Sequence, residues 1–219
     1  YVIDFGTEFN SILNGADGEE ILNQEYQSAW NAFSYDNVDL YYLDINKVSM
    51  VMEARTEGAT TTYYVKIGPG DYSSYLSSTF ANKKEIEDAD VYIKDIRNQV
   101  MSILGPYNNA MKIKVVNEWM IDNLSYENIE GNNNKYNLYG AIVETKVVCE
   151  GYARMFKYIM DGLNIPCILV SGTATNSEGE TELHAWNYVE LNGQWYAVDV
   201  TWNDPVVIGE GELTESQKS

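Results

Sequence analysis

The sequence predicts an α+β fold in which a helix carrying Cys149 packs on an antiparallel sheet carrying His184 and Asp199, with an N-terminal α/β extension. Three observations predict it. Apolar residues recur at helical spacing in Glu19 to Phe33 and in Lys83 to Leu104. Alternating, β-branched stretches fill Val48 to Ala54 and Thr60 to Ile67. An Asn192-Gly193 pair stands between two further strand-like runs, the strongest short hairpin signal.

Taken in order, Asp17-Gly18 marks a turn, after which Ile21, Leu22, Tyr26, Ala29, Trp30 and Phe33 line one face of an amphipathic helix. Glu57-Gly58 separates the two β-branched stretches, which predicts an antiparallel hairpin or small sheet closed by the turn Gly68-Pro69-Gly70-Asp71. In Lys83 to Leu104 the apolar positions are Ile86, Ala89, Ile93, Ile96, Val100 and Leu104. Acidic residues stand in front and Gly105-Pro106 behind, as helix start and stop rules require. A second helix is expected from Ala110 to Leu124. The polar run Glu130-Gly131-Asn132-Asn133-Asn134-Lys135 predicts an exposed connection. Residues 1–82 are thus expected to form a helix and small sheet packed on a core of residues 83–219.

Bulk properties bound the function. At 219 residues with 45% hydrophobic content the chain can bury a substantial core, and one compact unit is expected. With 33 acidic against 14 basic residues, the net charge of -19 repels phosphate backbones and anionic headgroups, so neither nucleic acid nor anionic membrane is expected as a partner. The acidic clusters Glu85 to Asp90, Glu178 to Glu182, and Glu210, Glu212 and Glu215 read as solvated surface. No apolar run reaches about eighteen residues, so no membrane-spanning helix is expected. A start at Tyr1 without an initiator methionine reads as a mature or trimmed fragment. With the acidic composition, that suggests an extracellular or cell-surface address. Nothing in the sequence fixes an oligomeric state. A structural zinc site needs about four nitrogen or sulfur ligands, and two cysteines with one histidine do not supply them; no metal and no cofactor are expected.

The chemistry gathers in the C-terminal third. Cys149 follows Val147-Val148 and precedes Tyr152, Phe156, Ile159 and Leu163, which fit one helical face and put Cys149 at a helix N-terminus. Unpaired N–H groups and the positive end of the helix dipole favour a thiolate there, and an imidazolium beside it adds to the effect. A buried structural thiol is the competing reading. Cys167 lies in the apolar run Pro166 to Gly172, a predicted buried strand, and reads as a core residue.

His184 is the one histidine in the chain. If Asn192-Gly193 forms a two-residue type I′ loop, Leu191 pairs with Gln194, Trp186 opposes Asp199 and His184 opposes Thr201. His184 and Asp199 then become diagonal neighbours on one face. A slip of one residue would send Asp199 to the other face. Asp199 can accept a hydrogen bond from one ring nitrogen and leave the other for Cys149, giving nucleophile, base and orienter. Alone, each has a plainer reading: a structural histidine, a turn-capping aspartate.

The segments Val148-Cys149-Glu150-Gly151-Tyr152-Ala153, His184-Ala185-Trp186-Asn187 and Trp195 to Pro205, with Leu138-Tyr139-Gly140-Ala141 upstream, resemble the transglutaminase-like superfamily and its bacterial branch most. The resemblance runs from about Lys112 to Val207. It implies a papain-like α+β core with Cys149, His184 and Asp199 at the nucleophile, base and orienting positions. Asn117 stands where relatives often carry histidine, and residues before about Lys83 match nothing specific.

The expected activity is cysteine-dependent acyl transfer on a protein or peptide substrate, by a protease or amidase. A protein-crosslinking transglutaminase and a non-catalytic surface binding module are the alternatives. The Cys149 N–H is a natural oxyanion donor, and Tyr139 is a candidate for the second. Trp186 and Trp202 stand near the three residues as candidate substrate contacts, although indoles more often pack a site's walls.

Overall fold

The computed structural model describes residues 2–70, 74–175 and 179–204. Asp71 of the predicted turn, Glu178, Pro205 and the acidic positions Glu210, Glu212 and Glu215 lie outside the described residues. In chain order the elements are β1 Ile3–Gly6, α1 Asn10–Leu13, α2 Gly18–Asp36, β2 Ser49–Glu57, β3 Thr60–Gly68, α3 Lys83–Ile103 and α4 Asn109–Asn123. They continue with β4 Ser125–Tyr126, β5 Lys146–Val147, α5 Cys149–Gly162, β6 Cys167–Thr175, β7 Thr181–Leu191, β8 Gln194–Val198 and α6 Val200–Asn203. The fold is α+β. It divides into two compact units, Tyr1–Ser34 with Tyr42–Ile86, and Tyr35–Tyr41 with Glu87–Ser219.

In the first unit, β3 is the central strand of an antiparallel sheet ordered β1-β3-β2. Its hairpin with β2 turns at Gly58, whose φ of 61° explains the glycine of the predicted Glu57-Gly58 break. Alternation along the strands turns Val65, Met50, Met52 and Tyr63 towards Leu13 and Leu22, which form the core of this unit with Phe5 and Phe9.

In the second unit α5 is buried from Gly151 through Met160. A helix covered on every face is a core helix, and its polar residues must find partners. Arg154 sends Nε and Nη2 to Glu150 Oε1 at 2.9 and 2.7 Å, and its guanidinium lies over the Tyr35 ring. Lys157 Nζ reaches both Asp161 oxygens and the Cys167 carbonyl, each at 3.1 Å. The helix packs on the antiparallel sheet β6-β7-β8 and touches α4 and α6. It stops where Asn164 takes a φ of 54°, the left-handed conformation that asparagine tolerates after a helix.

Two local expectations need correction. Asn134 and Lys135, in the connection expected to be exposed, are buried. Asn134 Nδ2 donates to Glu144 Oε1 at 2.6 Å, and Lys135 Nζ donates to Asn128 Oδ1 at 2.7 Å and to the Ile129 carbonyl at 2.9 Å. Those partners repay the desolvation that polarity alone would forbid. The β8 strand also ends at Val198, three residues short of the expected pairing of Thr201 with His184. The ladder runs from Leu191↔Gln194 to Asn187↔Val198, and the chain then turns into α6, so Thr201 is helical and does not face His184 across a ladder.

Candidate active site

Cys149 is the first residue of α5, and no side chain caps that helix end. Its backbone is set by the residue before it, since Val148 N–H donates to the Lys135 carbonyl at 3.1 Å. Gly151 allows that arrangement: a Cβ there would stand 2.8 Å from the Lys135 oxygen and 2.5 Å from Val147 Cβ. The Cys149 side chain is partly exposed and packs against Ala153, Leu169 and Ala185. Cys167 is buried, and burial pushes its thiol up to about 12.

His184 stands on β7 with 4% of its surface exposed. Its Nε2 is 2.7 Å from Asp199 Oδ2, a short, charge-assisted distance when the ring is protonated. Cys149 lies near enough to the ring to raise its pKa, and with Nε2 committed to Asp199 it is Nδ1 that remains for the sulfur. Burial works against the charged ring, but the hydrogen bond to Asp199 and the nearby Cys149 outweigh it and raise the pKa from 6.5 to about 9. Because the folded value lies above the ordinary one, the imidazolium prevails at neutral pH and is lost as pH rises through about 9. The single histidine signal in an NMR titration is therefore expected to change with a midpoint near 9; a midpoint at or below 6.5 would contradict this electrostatic picture.

Asp199 reaches the imidazole from just beyond the sheet. It is the N-cap of α6, and its Oδ1 accepts the Trp202 N–H at 3.1 Å while Oδ2 meets His184. One carboxylate thus caps a helix and contacts the base. The hairpin that brings it there turns at Asn192 and Gly193, whose φ values of 53° and 77° fit the type I′ turn.

The two tryptophans flank the imidazole. The Trp202 ring lies 4.7 Å from it at 21°, the Trp186 ring 6.0 Å away at 17°. Trp202 remains 48% exposed, so it borders solvent as well as packing on the base. Tyr139 precedes a π-helical turn, Gly140–Glu144, and its ring stacks on Tyr41.

Sequence reasoning gave no role at the site to Tyr126, Asn187, Tyr152, Asp204 or Asn117. Tyr126 on β4 lies opposite Val147 in the parallel pair with β5, two residues ahead of Cys149. Its phenol is raised by burial first and by the charge at Cys149 second, which puts it within electrostatic range of the thiol. Asn187 is buried, and its Nδ2 donates to the Ala153 carbonyl at 3.0 Å, tying β7 to α5. Tyr152 and Asp204 share a hydrogen bond described below. Asn117 accepts from Asn203 Nδ2 at 3.1 Å, linking α4 to α6. Among the described residues no cluster of His, Cys, Asp and Glu could hold a metal ion, and no helix is long and apolar enough to cross a membrane.

Residues 97–200 match the family model of the transglutaminase-like superfamily. The kyphoscoliosis peptidases of Mus musculus and Homo sapiens are 26% and 25% identical over 157 residues, which cover 64% of this chain and 23% of each relative. The chain therefore spans about a quarter of the length of the curated relatives it matches. Among solved structures, the crystal structure of a TGase aligns over 81% of this chain and 52% of its own, with 17% identity and a TM-score of 0.47.

Proposed function

We propose, from the premise that residues 97–200 are a transglutaminase-like domain, that this chain catalyses cysteine-dependent acyl transfer on peptide or carboxamide groups, as a protease or amidase. One observation carries the reading: the only imidazole of the chain lies 2.7 Å from Asp199 and near enough to Cys149 for that residue to raise its pKa. Sulfur attacks the substrate carbonyl, whose π electrons move to oxygen. The oxyanion is held by the Cys149 N–H and a second donor. As the C–N bond breaks, the imidazolium gives its proton to the leaving amine and a thioester remains. Water then attacks the thioester, its proton passing to the imidazole, and the carboxylic acid leaves with the thiol regenerated. An amine in place of water makes the crosslinking reaction. The name of the mouse and human relatives, kyphoscoliosis peptidase, supports hydrolysis. A partly exposed Cys149 beside an imidazole tells against a module that only binds.

Two tyrosines compete for the second oxyanion position. Tyr126 is favoured over Tyr139 because its strand adjoins the one that leads into Cys149, whereas the Tyr139 ring is stacked on Tyr41. Tyr126→Phe is expected to lower kcat/KM by about 100-fold, the usual cost of one oxyanion donor, and Tyr139→Phe to change it little. The reverse ranking would return the role to Tyr139.

The reaction class is tested by incubating the chain with a glutamine-containing protein and a labelled primary amine. Release of peptide or ammonia without label incorporation, absent in Cys149→Ala, is the expected result. Incorporation would establish crosslinking instead, and no Cys149-dependent product of either kind would favour the binding module. The acidic surface also supports an extracellular or cell-surface address, which recovery of the native protein from the cytosolic fraction alone would overturn.

A further inference from the structure

We propose that Tyr152 and Asp204 are positioning residues for the imidazole: their hydrogen bond clamps the short helix that presents Asp199 onto the helix that presents Cys149. The proposal rests on the reading of Cys149, His184 and Asp199 as the reacting groups.

The clamp is needed because α6 has only four residues, too few to hold a helical turn in place by its own backbone bonds. Its fixed points are therefore its side chains. At its start Asp199 bonds the Trp202 N–H and His184. At its end Asp204 Oδ2 accepts the Tyr152 hydroxyl at 2.6 Å, and Asn203 bonds Asn117. Tyr152 has no exposed surface and stands one turn along α5 from Cys149, so it is an immobile anchor. Burial and the adjoining Asp204 carboxylate both raise the Tyr152 phenol well above its ordinary range, which keeps its proton available for donation.

These contacts close a ring. It runs from Cys149 along α5 to Tyr152, across to Asp204, back along α6 to Asp199, and through His184 to the sulfur. Trp202, stacked 4.7 Å from the imidazole, rides on the same short helix. Opening the ring at Tyr152–Asp204 frees the far end of α6, so Asp199 and Trp202 lose their aim at His184 together.

The test uses the full chain and its single histidine, whose NMR titration reports the imidazole whether or not the chain turns over a substrate. Tyr152→Phe and Asp204→Ala are each expected to lower the His184 midpoint by about one pH unit, and to slow alkylation of Cys149 by iodoacetamide at neutral pH by about tenfold. Asp204→Asn, whose amide oxygen still accepts the phenol proton, is expected to keep both near wild type. The double variant Tyr152→Phe, Asp204→Ala should lose no more than either single change, as for two ends of one contact. If Tyr152→Phe does not fold, the contrast between Asp204→Ala and Asp204→Asn decides. Variants that lower the melting temperature but leave the His184 midpoint and the alkylation rate unchanged would overturn the proposal. Slow wild-type alkylation of Cys149 would remove the enzymatic reading, while the midpoints would still test the clamp.

Discussion

Asp199→Asn is expected to reduce acyl transfer by about 1,000- to 10,000-fold while leaving the chain folded. The two carboxylate oxygens separate the roles. Oδ2 faces His184 Nε2 at 2.7 Å, and Oδ1 caps α6 through the Trp202 N–H. Asparagine caps helices about as well as aspartate, so if its carbonyl takes the capping position the fold should lose less than about 1 kcal/mol. Its NH2 group then confronts Nε2, which can no longer hold a proton there. The ring is left as a neutral tautomer with its proton on the side of the sulfur, and the bond that did most to raise its pKa is gone. Steady-state kinetics beside thermal unfolding checks this: a large loss of rate with a small change in melting temperature is expected. Equal losses in both would make Asp199 a structural cap only.

Gly151→Ala is expected to act with the opposite sign to most glycine replacements in helices. In an open helix the change stabilises by about 1 kcal/mol, because alanine has less backbone freedom to lose. Here the new Cβ would stand 2.8 Å from the Lys135 carbonyl oxygen, which is main chain and is itself the acceptor for Val148 N–H. Relief requires the Lys135 segment to move, and that segment is pinned by the buried amine bonded to Asn128 and Ile129. Overpacking of this kind costs about 1–3 kcal/mol. Urea unfolding is expected to show that loss, with a fall in Cys149 reactivity as the helix start shifts. A stabilised variant would show that the Lys135 contact is slack.

Much of this architecture was legible because it rests on local signals. Helical periodicity located α2, α3 and α5 to within a few residues, and Asn192-Gly193 set the β7-β8 register through Asn187↔Val198. The register was carried too far at its end, since strand pairing and helix capping compete for Asp199. Capping prevails where Trp202 N–H, His184 and the anchored Asp204 all draw the chain out of the ladder. Trp202 is three residues on, but His184 lies fifteen residues back and Tyr152, which anchors Asp204, lies farther still, so no window around Asp199 reveals them. The burial of Asn134 and Lys135 was hidden for the same reason. A polar run reads as exposed until its acceptors, Glu144, Asn128 and Ile129, are seen beside it. Tyr126 escaped because β4 has two residues and pairs parallel with a strand of two, too short for any periodicity. Strand β1 was missed likewise, its four residues reading as an unremarked chain start.

The central claim is that Cys149 is made reactive by His184, and competitive alkylation of the two cysteines tests it most directly. Cys149 is partly exposed beside the imidazole, whereas Cys167 is buried with its thiol pushed up to about 12. With iodoacetamide at neutral pH, Cys149 is expected to be modified far faster than Cys167 in the wild-type chain. In a folded His184→Ala variant that advantage should shrink to what exposure alone provides. Equal, slow modification of both cysteines, or a fast Cys149 that does not depend on His184, would contradict the account.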